Sequence, residues 1–243
     1  KDNMIDYLEQ EVGSLEIDET PAAVDDVWQR ISYKLSIEIP PNRQVVTERN
    51  WYANHPSYIT RVAKRAELFL HLIVEEIEKR EMPIELALLP IVESAFDPFA
   101  YSHGRASGLW QFIPGTGKRF GMQQNWWYEG RRDVVASTQG ALDYLTYLNE
   151  MFDGNWLHAL AAYNSGEGRV QRAIKDNKRA GKPTDFWNLN LPKETRAYVP
   201  KLLALADILK NKDEYAYAWP AVENVAVIEV VDIGSQVALA FAA

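Results

Sequence analysis

Glu93 is the residue in this sequence with the clearest capacity for acid–base chemistry. A helix that starts at Pro83 and runs to about Ala95 places Pro90, Leu89 and Leu86 three, four and seven residues before it, on the same face. A carboxyl group then ends an apolar stripe. Desolvation disfavours the carboxylate and raises its pKa, which suits a general acid working near neutral pH. The local pattern also accommodates a glutamate that turns to solvent or pairs with Arg105 or Arg131, since Glu is mostly an exposed residue.

Other polar groups follow in a broken stretch. They are Ser94, Asp97 and Ser102, then Gly108-Leu109-Trp110-Gln111-Phe112, then Tyr163-Asn164-Ser165-Gly166, and finally Tyr198. Taken singly, each has a structural explanation. Ser94 and Ser102 can cap helices or turns, Gln111 can bond its own loop, Asn164 can end a helix, and the tyrosines can be core aromatics. Trp110, Trp126, Trp127 and Trp156 read equally as core or as sugar platforms. A second carboxylate for a glycosidase pair would come from Asp97, Glu129, Asp133, Asp143, Asp153 or Glu167, none of which lies in a comparably apolar stretch. Asp97 and Asp133 stand at loop starts and read as caps.

Several chemistries are excluded. His55, His71, His103 and His158 lack metal-ligand spacing and there is no His-Glu-x-x-His, so metal catalysis is not expected. Gly115-Thr116-Gly117-Lys118 fails as a phosphate loop, with Phe112 where the first glycine belongs and Arg119 in place of Ser or Thr. There is no Gly-x-Ser-x-Gly elbow and no cysteine, which removes disulfides, thiolate sites and thiol nucleophiles.

The elements that must position these residues are helical. Apolar residues at Ile59, Val62, Ala63, Ala66, Phe69, Leu70, Ile73 and Ile77 predict one long helix over Pro56–Arg80. The helix from Pro83 follows, kinked at Pro90. Residues 97–133, rich in Gly, Pro and aromatics, are expected as loops and short helical turns lining a site. Helices resume at Val134–Phe152, Trp156–Tyr163, Gly168–Ala180 and Glu194–Lys210. Residues 1–42 read as a peripheral arm with one amphipathic helix around Val24–Leu35, closed by Pro40-Pro41. Val225–Val231 is the one segment that reads as a strand, and an apolar stretch from Val237 to Ala243 ends the chain.

The 243 residues, 47% apolar, fit one generous domain or one with a small appendage. Net charge is −8, yet residues 160–212 hold 11 Lys+Arg against 5 Asp+Glu. A locally basic face on an acidic protein suits an acidic polymer better than nucleic acid, whose binders are usually basic overall; a solvated helix face is the plainer reading. No apolar run approaches the ~20 residues needed to cross a bilayer, and a chain opening on Lys1 reads as a trimmed form.

The ordered motifs Glu93-Ser94-Ala95-Phe96-Asp97-Pro98, Gly108-Leu109-Trp110-Gln111-Phe112, Arg131-Arg132-Asp133-Val134, Ala161-Ala162-Tyr163-Asn164 and Glu194-Thr195-Arg196-Ala197-Tyr198-Val199-Pro200 are together recognisable. Over residues 55–212 the chain resembles the lytic murein transglycosylases of the soluble-transglycosylase type. The resemblance implies a mainly α, lysozyme-like catalytic domain at 55–212. It also implies an N-terminal helical arm at 1–54 and a C-terminal extension at 213–243 with a short strand. Glu93 matches the single catalytic acid, and Ser102 the hydroxyl that helps hold carboxyl and substrate. Gln111, Tyr163, Asn164 and Tyr198 match residues lining the sugar cleft. Arg105 stands where many relatives have Gly, which puts the shape of the Ser102–Gly108 loop in question.

The implied reaction is non-hydrolytic cleavage between N-acetylmuramic acid and N-acetylglucosamine of peptidoglycan, giving 1,6-anhydromuramyl ends, with no cofactor. The alternatives are a lysozyme-like hydrolase of the same bond and a non-catalytic peptidoglycan-binding module. The expected partner is the glycan strand, met by a monomer in the periplasm, with a tether to the outer membrane and cell-wall-binding repeats outside this chain.

Overall fold

Helix α10 (Lys193–Lys210) is the post around which the other elements pack. In the computed structural model, which describes residues 24–214 and 219–229, its Val199, Leu202, Leu203, Ala204, Leu205 and Ile208 have no accessible surface. Apolar residues fill nearly every position of α10 after Tyr198, as a helix enclosed on all sides requires.

Among the described residues nine further α-helices precede it: α1 (Val27–Tyr33), α2 (Arg43–Ala53), α3 (Pro56–Ala66), α4 (Leu70–Lys79), α5 (Leu89–Ser94), α6 (Pro114–Arg119), α7 (Val134–Met151), α8 (Trp156–Ser165) and α9 (Glu167–Arg179). Asp26, Asn42, Asp133 and Asn155 start α1, α2, α7 and α8 by accepting a backbone N–H of the first turn. Helix α10 packs against α1, α2, α5 and α8, while α8 also packs on α7 and α9. The described residues form no β-sheet; they contain isolated bridges, including one between Asp26 and Glu223.

The arm belongs to the same core. Val27, Trp28 and Ile31 are fully buried, and Trp28 packs on Trp219 with ring centroids 4.6 Å apart. Arg30 forks onto Glu78 at 3.0 and 2.6 Å and reaches Glu75 at 2.6 Å. Val27 N donates to Val222 O at 2.8 Å, so the described C-terminal segment lies along the arm. The first 23 residues of the expected arm lie outside the described residues.

Four expectations are corrected. The long helix is two: the chain turns at Glu67–Phe69, where Phe69 leaves helical angles at φ −124°. Ala66 and Leu70 still stand four apart and are both buried, so the apolar spacing runs through the break without marking it. The helix from Pro83 is also divided, into a 3-10 turn at Ile84–Leu88 followed by α5. Pro90 therefore lies in the first turn of α5, where it costs no hydrogen bond, rather than kinking a helix interior. The arm contains a second helix, α2, in which Val45 and Tyr52 are the buried residues, too few to make a periodic signal. Finally, Val225–Glu229 forms no strand; its last two expected members and the stretch from Val237 lie outside the described residues.

Candidate active site

A cleft of about 670 Å³ opens where α5, α8 and α10 meet the loops between α5 and α7. Its wall includes Glu93, Ser102, Gln111, Tyr163, Asn164 and Tyr198, residues spread over 106 positions of sequence. All six residues singled out in the sequence thus reach one cavity.

Glu93 lies in the last turn of α5. That helix stops at Ala95 and Phe96, both left-handed at φ 52° and 57°. Such angles cost a non-glycine residue roughly 1 kcal/mol each, and burial of the Phe96 ring holds the turn in place. Ser94 Oγ donates to Leu109 O at 2.9 Å, tying the end of α5 to the loop that carries Gln111. The local reading of Ser94 as a structural hydroxyl describes this bond.

Burial pushes the Glu93 carboxyl up from 4.5 to about 7. The hydrogen bond donated by the Tyr198 hydroxyl to Glu93 Oε1 pulls the other way, and the negative charge of Glu194 adds to the rise. Among the described residues Glu93 has no cationic partner. Arg131, one pairing open to it from sequence, instead forks onto Glu129 at 2.8 and 2.6 Å. Burial, then the charge of Glu93, hold the phenols of Tyr163 and Tyr198 well above their ordinary value, so both remain neutral donors. Tyr163 spends its proton on Trp110 O at 2.8 Å.

The loop from Ser102 to Phe112 is folded by its own polar groups. Ser102 Oγ accepts Ala106 N at 3.0 Å. Gln111, left-handed at φ 50°, donates through Nε2 to Gly108 O at 2.9 Å and to Ala100 O at 3.3 Å. Arg105 adopts φ 65°, the left-handed region that a glycine would favour, so the turn keeps a glycine-like backbone despite the substitution. Buried Arg131 supports it, donating to Arg105 O at 2.7 Å and Phe112 O at 2.9 Å. Gly108 has no alternative: a Cβ there would stand 1.8 Å from Arg131 O. Across the cleft, Asn164 Oδ1 accepts the hydroxyl of buried Thr195 at 2.8 Å.

The carboxylates weighed as partners to Glu93 divide clearly. Asp97 accepts Phe99 N, Asp133 caps α7, Asp143 pairs with Arg80 at 2.6 Å, Glu129 is held by Arg131, and Asp153 is in a turn at φ 53°. None of these five lines the cleft. Glu167 does, but it is engaged with Tyr144 at 3.2 Å and Arg119 at 3.4 Å. Sequence reasoning overlooked Glu194 and Lys201, which also line the cleft. The signal was present: Glu194, Tyr198 and Lys201 are spaced four and three apart, so one face of α10 carries all three.

The tryptophans separate too. Trp110 is fully buried and donates to Thr138 at 3.1 Å, whereas Trp126 and Trp127 are 89% and 91% exposed on a turn away from the cleft wall. A larger hollow of about 770 Å³, bordered by Arg80, Glu81, Pro83 and Trp156, contains none of the six site residues. Among the described residues no cluster of three or more His, Asp or Glu is placed to hold a metal ion.

Residues 72–186 match the family described as Transglycosylase SLT domain. The membrane-bound lytic murein transglycosylase D of Escherichia coli K12 is 50% identical over 224 residues, which cover 92% of this chain and 50% of that protein. This chain therefore spans about half the length of that relative. A protein of Alteromonas sp. named for tributyltin chloride resistance is 43% identical over 191 residues, covering 77% of this chain and 90% of its own length. Among solved structures, an inactive mutant of the lytic transglycosylase Slt from Pseudomonas aeruginosa is 29% identical. It covers 58% of this chain and 24% of its own, with a TM-score of 0.43.

Proposed function

The chain belongs to the lytic murein transglycosylases that carry the SLT domain, and from that membership and the cleft we propose that it cleaves the β-1,4 bond between N-acetylmuramic acid and N-acetylglucosamine without water. The observation that carries this reading is Glu93, a carboxyl kept protonated up to about pH 7 and bonded by a neutral phenol on one oxygen. Tyr198 occupies Oε1, which leaves Oε2 to hold the transferable proton.

In the proposed reaction Glu93 protonates the glycosidic oxygen, and the bond from that oxygen to the muramyl anomeric carbon breaks. The 2-acetamido carbonyl oxygen closes onto the same carbon, supplying the nucleophile that a second carboxylate provides in most glycosidases. Glu93, now ionised, takes the proton of the muramyl 6-hydroxyl. O6 attacks the anomeric carbon, the acetamido oxygen leaves, and a 1,6-anhydro ring results with Glu93 protonated again. Ser102, Gln111, Asn164, Tyr163 and Tyr198 are assigned to shaping the cleft and orienting the sugar and the acid.

Digestion of purified sacculi followed by mass spectrometry of the released fragments tests the reading. Anhydromuramyl ends are expected. Reducing ends would establish the hydrolase instead, a reading favoured by one observation, the presence of Glu194 in the same cleft as a base for water. Binding of sacculi without release would establish a non-catalytic module.

The same proposal makes murein the partner and the periplasm the site of action, with residues 55–212 as the catalytic unit of a monomer and the described part of the 1–54 arm, residues 24–54, packed on it. The relative's description as membrane-bound supports attachment of the whole protein to the envelope. No helix among the described residues is long and apolar enough to cross a membrane.

A further inference from the structure

The cleft is electrically lopsided along α10. Glu194, Tyr198 and Lys201 lie on one face of that helix, with roughly 10 Å of axial rise between the backbones of Glu194 and Lys201 and about 4.5 Å between those of Tyr198 and Lys201. Tyr198 bonds Glu93, and Lys201 lines the same cleft about one turn of α10 further on, on the side away from Glu194. It is the one cation among the cleft's described lining residues. Lys201 makes no ion pair among the described residues. The anion it acts on is Glu48 of α2, a carboxyl that burial raises and the Lys201 charge draws back.

A cleft for neutral N-acetyl sugars has no need of an ammonium group inside it. Muramyl units, however, carry acid: a lactyl carboxylate when the stem peptide has been removed, and the carboxylates of the peptide when it has not. Lysine presents a compact charge on a flexible stem, which suits a carboxylate whose position varies from unit to unit. Resting on the murein reading above, we propose that Lys201 is a recognition point for a carboxylate borne by the muramyl unit beside the bond to be cut. Glu194 repels the same group from the opposite end, so the pair fixes the direction in which a strand lies across Glu93.

Binding separates this inference from the chemistry. Affinity for soluble glycan strands is measured for E93Q and for E93Q/K201Q, with E93Q/K201R as the charge-conserving variant. The strands are used with stem peptides, stripped of peptides, and in both forms after conversion of their carboxylates to methylamides. K201Q is expected to weaken binding of carboxylate-bearing strands about five-fold at low salt, while both proteins bind the methylamides equally and K201R restores most of the loss. A loss confined to peptide-bearing strands identifies the stem peptide as the acid; one confined to stripped strands identifies the lactyl group. Equal affinity of E93Q and E93Q/K201Q for every strand overturns the inference, as does an equal loss on the methylamides. Failure of E93Q to bind any strand overturns the murein reading and this inference with it.

Discussion

Glu85 and Glu93 lie toward the two ends of one segment, Ile84–Ser94, and each is drawn into the protein, but their surroundings differ. Glu85 has no accessible surface, and its Oε1 receives two backbone donors, Ser36 N at 2.5 Å and Ile37 N at 2.6 Å. It ties the arm to the core. Glu93 faces the cleft and is bonded by a single phenol. Burial alone therefore does not make a proton donor. Glu85 too has an oxygen without a partner, but Oε2 is sealed in the core, so this acid is a structural tie; Glu93 lines the cleft with no ion pair among the described residues and can hand a hydrogen to a molecule bound there.

The largest effect expected from this contrast is at Glu93. E93Q should keep the fold and lose about 10²- to 10⁴-fold in turnover of sacculi, because general acid–base catalysis contributes that much. Near-normal turnover would remove Glu93 from the role. The wild-type rate should also decline as pH rises through about 7, where the acid loses its proton.

Stability should run against activity at the same position. The folded-state pKa of Glu93 is raised from 4.5 to about 7, so between these values the folded protein binds more protons than the unfolded chain, and stability falls as pH rises through the window. E93Q escapes that loss. Relative to wild type it should gain up to about 3 kcal/mol between pH 4 and pH 8, measured by denaturant unfolding. An equal difference at both pH values would show that Glu93 titrates as an ordinary glutamate.

At the other end of the segment, E85A should cost about 1–3 kcal/mol of stability by leaving two amides without their acceptor, with the pH dependence of turnover unchanged. A shifted pH profile in E85A would break the separation of structural from chemical acid.

These two acids also mark how far the sequence could be read. Glu93 was legible because it follows Pro90, Leu89 and Leu86, though the stripe is not continuous: Leu86 lies in a 3-10 turn, and the desolvation comes from the closing of the cleft as well as from neighbours on the helix. Its partner Tyr198 stands 105 positions away, so only the motif resemblance linked them. Glu85 was not legible, because its role depends on two main-chain amides of the arm, and backbone donors leave no trace in side-chain pattern. Helix α10 was read nearly to its ends, since apolar residues mark its buried positions after Tyr198. The break between α3 and α4 was hidden by spacing that stays in phase across it.

Removing the phenol sharpens the account of Glu93 itself. Y198F deletes the donor that favours the ionised form, so the alkaline limb of the pH profile should move upward while turnover falls about ten-fold. A limb that stays in place would mean that the bond to Tyr198 does not govern the acid.

The smallest effect is expected at Glu194, and it discriminates between mechanisms. Its charge raises the Glu93 pKa, so E194Q should move the alkaline limb downward by less than about one unit, a minor contribution beside burial. If the substrate's acetamido group is the nucleophile, turnover below that limb should stay within a few-fold of wild type. If Glu194 is instead the base that activates water, E194Q should lose turnover as severely as E93Q, and the wild-type products should carry reducing ends. A small pH shift with anhydro products retained leaves Glu93 to both give and take the proton, the property that separates it from the other acids lining the cleft, Glu167 and Glu194.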